Sequence, residues 1–312
     1  MADAGDRSRY APFGLDPDAE AQGLTRTVVA TADGDAVVHH PRELPGATSG
    51  ARPTVLLHGA AGSWTTWTPW LRAADESGRT VDRPVLIDLP GWGGAAAPTP
   101  PLDVEAAARV VLAVLDALGV GPDQPVDLVG HSMGALVALH VAAVRPDRVA
   151  RLGLVSPTTF SALEAAARPW SGVRRLPALV LLRAVFLVLP RASSALLRGA
   201  ARLGLLTALA SPVFRHAARV PRSVREAFVA EVRPVGFVAA TRSAPGYDTA
   251  AWSRFEGPVA AVAGADDSFA EHRDLVRLRA VLPQARTTLL PECGHFAHVE
   301  WPFAVVEAMA ER

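Results

Sequence analysis

Val126-Asp127-Leu128-Val129-Gly130-His131-Ser132-Met133-Gly134-Ala135-Leu136 is the stretch on which the fold turns. It begins with a short apolar run, passes through Gly-x-Ser-x-Gly, and continues into an apolar helical pattern over 133–144. A brief apolar run bounded by glycine is expected of a strand covered on both faces. A serine on a sharp strand-to-helix turn needs an unusual backbone conformation and close approach of neighbouring chain. Glycines at both flanking positions remove the Cβ atoms that would clash. The turn should lift the Ser132 hydroxyl clear of the sheet, at the positive end of the following helix. The motif alone is common in glycine- and alanine-rich chains; the strand before it and the helix after it make it informative.

Working outward, the same alternation recurs. Thr54–Leu57, Val85–Ile87, Leu152–Val155, Val259–Val262 and Thr287–Leu290 read as further buried strands. Helical spacing is predicted for roughly 64–73, 103–118, 271–281 and 301–311. Within 103–118, Val104, Ala107, Ala108, Val111, Leu112, Leu115 and Leu118 share a face, and Gly119 ends the run. Strand–helix alternation predicts an α/β fold with a mostly parallel sheet flanked by helices. It fails between Pro157 and Pro258, where helical patterns (179–189, 193–209, 222–232) are punctuated by prolines. The expected organisation is a flexible tail over 1–22, a core of 23–157 and 258–312, and a helical lid subdomain over 158–257.

Two further motifs sit after predicted strands. His58-Gly59-Ala60-Ala61-Gly62-Ser63-Trp64 is a glycine-rich loop able to curl towards Ser132. Acyl transfer develops negative charge on an oxygen, and backbone N–H groups aimed at it lower the barrier by about 3–4 kcal/mol each. Met133 and Ala60 are the expected donors. Ala263-Gly264-Ala265-Asp266-Asp267 and Glu292-Cys293-Gly294-His295-Phe296 follow the last two strands, at the sheet edge where Ser132 emerges. A serine hydroxyl needs an imidazole to accept its proton, and the imidazole needs a carboxylate to fix its tautomer. The order Ser, acid, His suits this kind of fold. Either Asp266 or Asp267 satisfies the spacing.

Together, HGAAGS, DLPGWG (88–93), GHSMG, GADD and GHFAHVEWP resemble the α/β-hydrolase superfamily over about residues 24–312, in its esterase, cofactor-free haloperoxidase and C–C hydrolase branches. The resemblance implies Ser132 as nucleophile, His295 as base and Asp267 as acid, with Asp88 structural and no cofactor. Members that cleave epoxides or carbon–halogen bonds use a carboxylate where this chain has Ser132. Members with the acid after the preceding strand differ at Ser156-Pro157-Thr158.

Other features bound the function. The 312 residues are half apolar, and 31 Asp+Glu balance 31 cations, all arginine. Zero net charge gives no reason to expect nucleic acid. The single cysteine, Cys293, excludes an internal disulfide and a cysteine-rich zinc site; it reads as a small apolar filler. No histidine pair has metal-ligand spacing with a third partner, so no metal is expected. His58 reads as a loop brace and His298 as a weaker alternative base. The N-terminus lacks an apolar signal core, and Ala178–Leu189 is too short for a span of about 20 residues. The expectation is a cytoplasmic protein without an integral membrane span.

Trp64, Trp67 and Trp70 recur every third residue. Packing against the sheet is the plain reading; the sharper one puts Trp64 or Trp67 in the acyl pocket wall. Phe186, in the insertion, and Phe296, beside His295, are further candidates for substrate contact. The apolar insertion (Leu176, Leu179, Leu182, Val185, Phe186, Leu189, Leu205, Leu206, Phe214, Phe237) suggests an apolar small-molecule substrate. Alternatively it only packs on the body, or rests on a membrane. The expected reaction is hydrolysis of a carboxylic ester, thioester or lactone through an acyl-serine. C–C hydrolysis, acyl transfer and perhydrolysis fit the same residues. A receptor-like binding role with a vestigial triad is opposed by the intact Ser, Asp and His.

Overall fold

The computed structural model describes residues 9–42, 52–81 and 83–310. A hairpin of β1 (Leu24–Val29) and β2 (Ala36–Pro41) forms one edge of an eight-stranded sheet. The other strands run parallel: β3 (Thr54–Leu57), β4 (Pro84–Asp88), β5 (Val126–His131), β6 (Val149–Val155), β7 (Val259–Gly264) and β8 (Ala285–Leu290). Their order is β1-β2-β4-β3-β5-β6-β7-β8. The parallel strands are those expected from their apolar runs; the hairpin is an addition. Its strands carry weaker patterns, because Val28 faces solvent and His39-His40 interrupt the apolar run of β2. β2 joins the sheet antiparallel, pairing Val37 with Asp88 and His39 with Leu86.

Both faces are covered, which is why the strands read as continuous apolar runs. Val55, Leu57 and Leu128 pack on the side of α2 (Val104–Ala117) and α3 (Met133–Val144). Leu56 and Val129 point the other way, onto the side carrying α1 (Thr68–Glu76). Asp103 caps α2 by accepting the Ala106 N–H at 2.9 Å, and Gly119 follows it with φ +71°. Because β4 and β5 flank β3 on opposite sides, the loops after β3 and β5 lead away from one another. Such a reversal opens a crevice at the C-terminal ends of the strands, where ligands bind in open α/β sheets.

Between β6 and β7 the chain forms α4 (Phe160–Ala167), α5 (Pro169–Gly172), α6 (Pro177–Val188), α7 (Pro190–Arg202), α8 (Leu206–Ala210), α9 (Arg222–Glu231) and α10 (Pro234–Ala240). No strand occurs there among the described residues. Pro169, Pro177, Pro190 and Pro234 each open a helix, a position that needs no N–H donor. The proline punctuation thus marks helix starts within one helical insertion. After β7 come α11 (Asp274–Val281), α12 (Ala297–Glu300) and α13 (Pro302–Ala310).

The expectation of a flexible tail over 1–22 needs correcting from residue 9 onward; residues 1–8 lie outside those described. Tyr10, Ala11 and Phe13 are buried, and the Phe13 ring lies 5.6 Å from that of Phe303. The acidic, polar composition of the segment hid two aromatic anchors, whose burial offsets the entropy of ordering it.

Candidate active site

Ser132 stands alone between β5 and α3, with φ +54° and ψ −117°. Two glycines make that strained turn possible. A Cβ at Gly130 would lie 2.3 Å from the Gly134 carbonyl oxygen, and one at Gly134 only 2.4 Å from that of Leu57. Any side chain at either position would force the strand-to-helix turn apart.

The loops after β7 and β8 bring their residues to this serine. His295 Nε2 lies 2.8 Å from Ser132 Oγ, and His295 Nδ1 lies 2.8 Å from Asp267 Oδ2. The other Asp267 oxygen accepts the N–H groups of Phe269 (2.7 Å) and Ala270 (3.1 Å). The Asp267 side chain is 1% exposed. Asp266 instead turns outward, 40% exposed, and pairs with Arg215 at 3.2 Å. The geometry therefore separates the two carboxylates that spacing left open.

The loop after β3 closes a turn in which the Gly62 N–H donates to the Gly59 carbonyl at 3.2 Å. Its central residues, Ala60 and Ala61, border the same cavity as Ser132 and Met133. Trp92 braces the loop by donating its indole N–H to the Ala60 carbonyl at 3.1 Å. Asp88 accepts the N–H groups of Trp64 (2.7 Å) and Gly94 (2.9 Å), and burial raises its carboxyl to about 6. His58 takes the Leu89 N–H on Nε2, at 3.2 Å, and bonds the Gly59 carbonyl through Nδ1. This fixes one neutral tautomer, in keeping with the loop-bracing expectation.

His298 is fully buried, its ring 4.4 Å from that of His131, and burial lowers its imidazole to about 3. It does not line the cavity, which leaves His295 as the imidazole at the serine. Cys293 is buried, and burial pushes its thiol up, away from reactive thiolate.

The cavity runs from Ser132 up into the insertion, where Leu179, Leu182, Phe186, Phe228 and Phe237 form its roof, with Phe296 on the wall. Phe186 and Phe296, named above as candidates for substrate contact, thus border the cavity. Trp64 and Trp67 do not. Trp64 stacks on His39 with ring centres 4.2 Å apart, and Trp67 packs against Trp70 and His298. Both belong to the core on the α1 side of the sheet, so their proposed place in the pocket wall is corrected to helix packing. Of the other apolar insertion residues, Leu176 and Phe214 pack internally, whereas Val185, Leu189 and Leu205 are exposed.

Sequence reasoning missed Glu300. Its buried carboxylate accepts the N–H groups of Gly294 (3.0 Å), Phe296 (3.2 Å) and Arg215 (2.9 Å), and the Tyr10 hydroxyl at 2.7 Å. The His295 N–H itself donates to the Val213 carbonyl of the insertion at 2.8 Å. The available signal was an acidic residue, Glu300, inside a run, Phe296–Trp301, that is otherwise apolar apart from His298.

A family model described as the alpha/beta hydrolase fold matches residues 53–302. A 2-hydroxy-6-oxononadienedioate/2-hydroxy-6-oxononatrienedioate hydrolase of Burkholderia vietnamiensis is 34% identical over 132 residues, 42% of this chain and 45% of that protein. A pimeloyl-[acyl-carrier protein] methyl ester esterase of Neisseria meningitidis is 44% identical over 80 residues, 26% of this chain and 27% of its own. The chain therefore matches less than half the length of these two curated relatives. A solved hydrolase structure from Pseudomonas aeruginosa PA01 superposes with TM-score 0.68 at 26% identity, covering 91% of this chain and 96% of that one.

Proposed function

We propose that the chain, which belongs to the alpha/beta hydrolase fold family, is a hydrolase that cleaves a carboxylic ester, thioester or lactone of an apolar small molecule through an acyl-serine. The observation that carries this reading is the unbroken 2.8 Å contacts from Ser132 through His295 to Asp267. Ser132 Oγ attacks the carbonyl carbon while His295 Nε2 takes its proton. Asp267 holds the Nδ1–H and stabilises the charged ring that forms. The Met133 and Ala60 amides hold the oxygen that becomes negative. His295 returns the proton to the leaving alcohol or thiol. Water, activated by the same ring, then splits the acyl-serine. Every step uses groups of this chain, and no cofactor or metal enters.

The cavity supports the substrate class. No Arg, Asp or Glu is among its lining residues, and apart from Ser132, Thr158, Thr241 and two histidines the lining is apolar. Burying an unpaired carboxylate there costs several kcal/mol, on the order of the desolvation penalty of one ion. A dioate of the kind named for the Burkholderia relative would find no cation in the pocket. An uncharged acyl chain under the helical lid fits better, and favours ester cleavage over the C–C alternative.

Ser132→Ala should lower cleavage of a short p-nitrophenyl ester by at least about 10³-fold without changing the unfolding midpoint, and should abolish labelling by a fluorophosphonate. Retained turnover in that variant overturns the assignment. A panel of esters graded in acyl length, scored by kcat/KM, then reads the depth of the cavity.

A further inference from the structure

Apart from Arg183, which donates to the Thr241 hydroxyl at 2.9 Å, helix α6 is apolar on all sides, yet only one side is covered. Leu179, Leu182 and Phe186 turn into the cavity, while Leu181, Val185 and Val188 lie exposed on the opposite face. At the corner into α7, Leu187, Val188 and Leu189 are exposed in succession, Val188 to 72%. Trp170 is 92% exposed, and Leu196, Leu203 and Leu205 are exposed as well. Among the described residues, nine of the fourteen exposed large apolar side chains fall between 170 and 205. Single exposed leucines are ordinary on a protein surface; this concentration in one segment is not.

Charge follows the same segment. Between Glu164 and Glu226 the chain has eleven arginines and neither aspartate nor glutamate, although its overall balance is zero. Arg168, Arg174, Arg191, Arg198 and Arg202 are exposed, and none is ion-paired among the described residues. On α7, Arg191, Arg198 and Arg202 recur at i, i+7 and i+11 and so share one stripe. Leu196 and Leu203 form a second stripe about 120° around the helix.

We propose that the outer face of α5–α8 docks on an anionic lipid bilayer, with the α6–α7 corner among the acyl chains and the arginines at the phosphates. Aliphatic side chains and a tryptophan flanked by unpaired cations are the composition of a segment lying in such an interface. An acidic protein surface would pair the arginines but leave the exposed leucines and valines uncovered. A second copy on a two-fold axis would set arginine against arginine. The helices lie on the bilayer rather than cross it, because α6 and α7 meet at 116° and neither is long enough to span. Docking does not depend on the catalytic reading. Delivery of lipid-borne substrate to the cavity, whose roof is the inner face of α6, does.

The full chain would be sedimented with vesicles of phosphatidylcholine alone and with vesicles of phosphatidylcholine and phosphatidylglycerol. The expected result is binding to the anionic vesicles that weakens with added salt. Arg191→Gln/Arg198→Gln/Arg202→Gln should lower the partition coefficient about a hundredfold, and Val188→Asp at least about tenfold. Both variants should keep the wild-type circular dichroism and the wild-type rate on a soluble short ester. Ser132→Ala should bind vesicles like wild type, so loss of docking and loss of the hydrolase reading are separately visible. The proposal is overturned if wild type stays in the supernatant with both vesicles, or if the arginine variant binds as well as wild type. A dimer that Val188→Asp dissolves, with no vesicle binding, overturns it in favour of a second copy.

Discussion

Asp266 and Asp267 are adjacent in the chain and opposite in environment. The first is half in solvent beside Arg215; the second is enclosed, with one oxygen on His295 and the other on two backbone N–H groups. Asp267→Asn would keep the carbonyl oxygen on those N–H groups and turn an NH₂ towards His295 Nδ1. That forces the imidazole into the tautomer that cannot accept the serine proton at Nε2. The expected loss in kcat is about 10³–10⁴-fold with KM little changed. Asp266→Asn, which removes only an exposed ion pair, should stay within about threefold of wild type. Steady-state kinetics on one ester checks both, and equal losses would contradict the assignment.

Among elements, the loop between β8 and α12 depends most on distant partners. Glu300 gathers the N–H groups of Gly294 and Phe296 on either side of His295, and the Tyr10 hydroxyl reaches it across 290 positions of sequence. Burial raises the Glu300 carboxyl while those N–H groups and the hydroxyl lower it. Tyr10→Phe removes the only side-chain donor to Glu300 among the described residues and should cost about 1.5–3 kcal/mol in urea unfolding, as for a hydrogen bond to a charged group. Its kcat should fall less than its stability suggests, because three backbone donors remain. The α6 helix carries the complementary lesson. Its hydrophobic pattern predicts a helix correctly, but an all-round apolar pattern does not say which side is covered.

For the whole molecule, the buried imidazoles set the acid limit. His58, His131 and His298 are enclosed, and burial lowers all three, His298 to about 3. The unfolded chain protonates such groups near pH 6.5 while the folded chain resists, so the stability they contribute is present above pH 6.5 and is lost as pH falls from there towards 3. For His298 this loss is about 1 kcal/mol between pH 7 and 5.5. The raised Asp88 carboxyl acts oppositely, since the folded state holds that proton more tightly between about 4 and 6. His298→Phe should therefore reduce the difference between unfolding free energies at pH 7 and 5.5 by about 1 kcal/mol; an unchanged difference would reject the linkage. Most of this architecture was readable in the chain. The parallel strands, the elbow around Ser132 and the His295 loop announce themselves through local pattern, because strand burial and turn chemistry act over a few residues. The β1–β2 hairpin, the packing of Tyr10 and the place of Trp64 were not readable, since each is decided by which distant surface needs cover. One backbone contact has a practical consequence. The Val213 carbonyl fastens the insertion to the His295 amide, so a cap transplanted from another scaffold must be spliced with residues around 213 left in the recipient, or the graft will unseat His295 along with the roof.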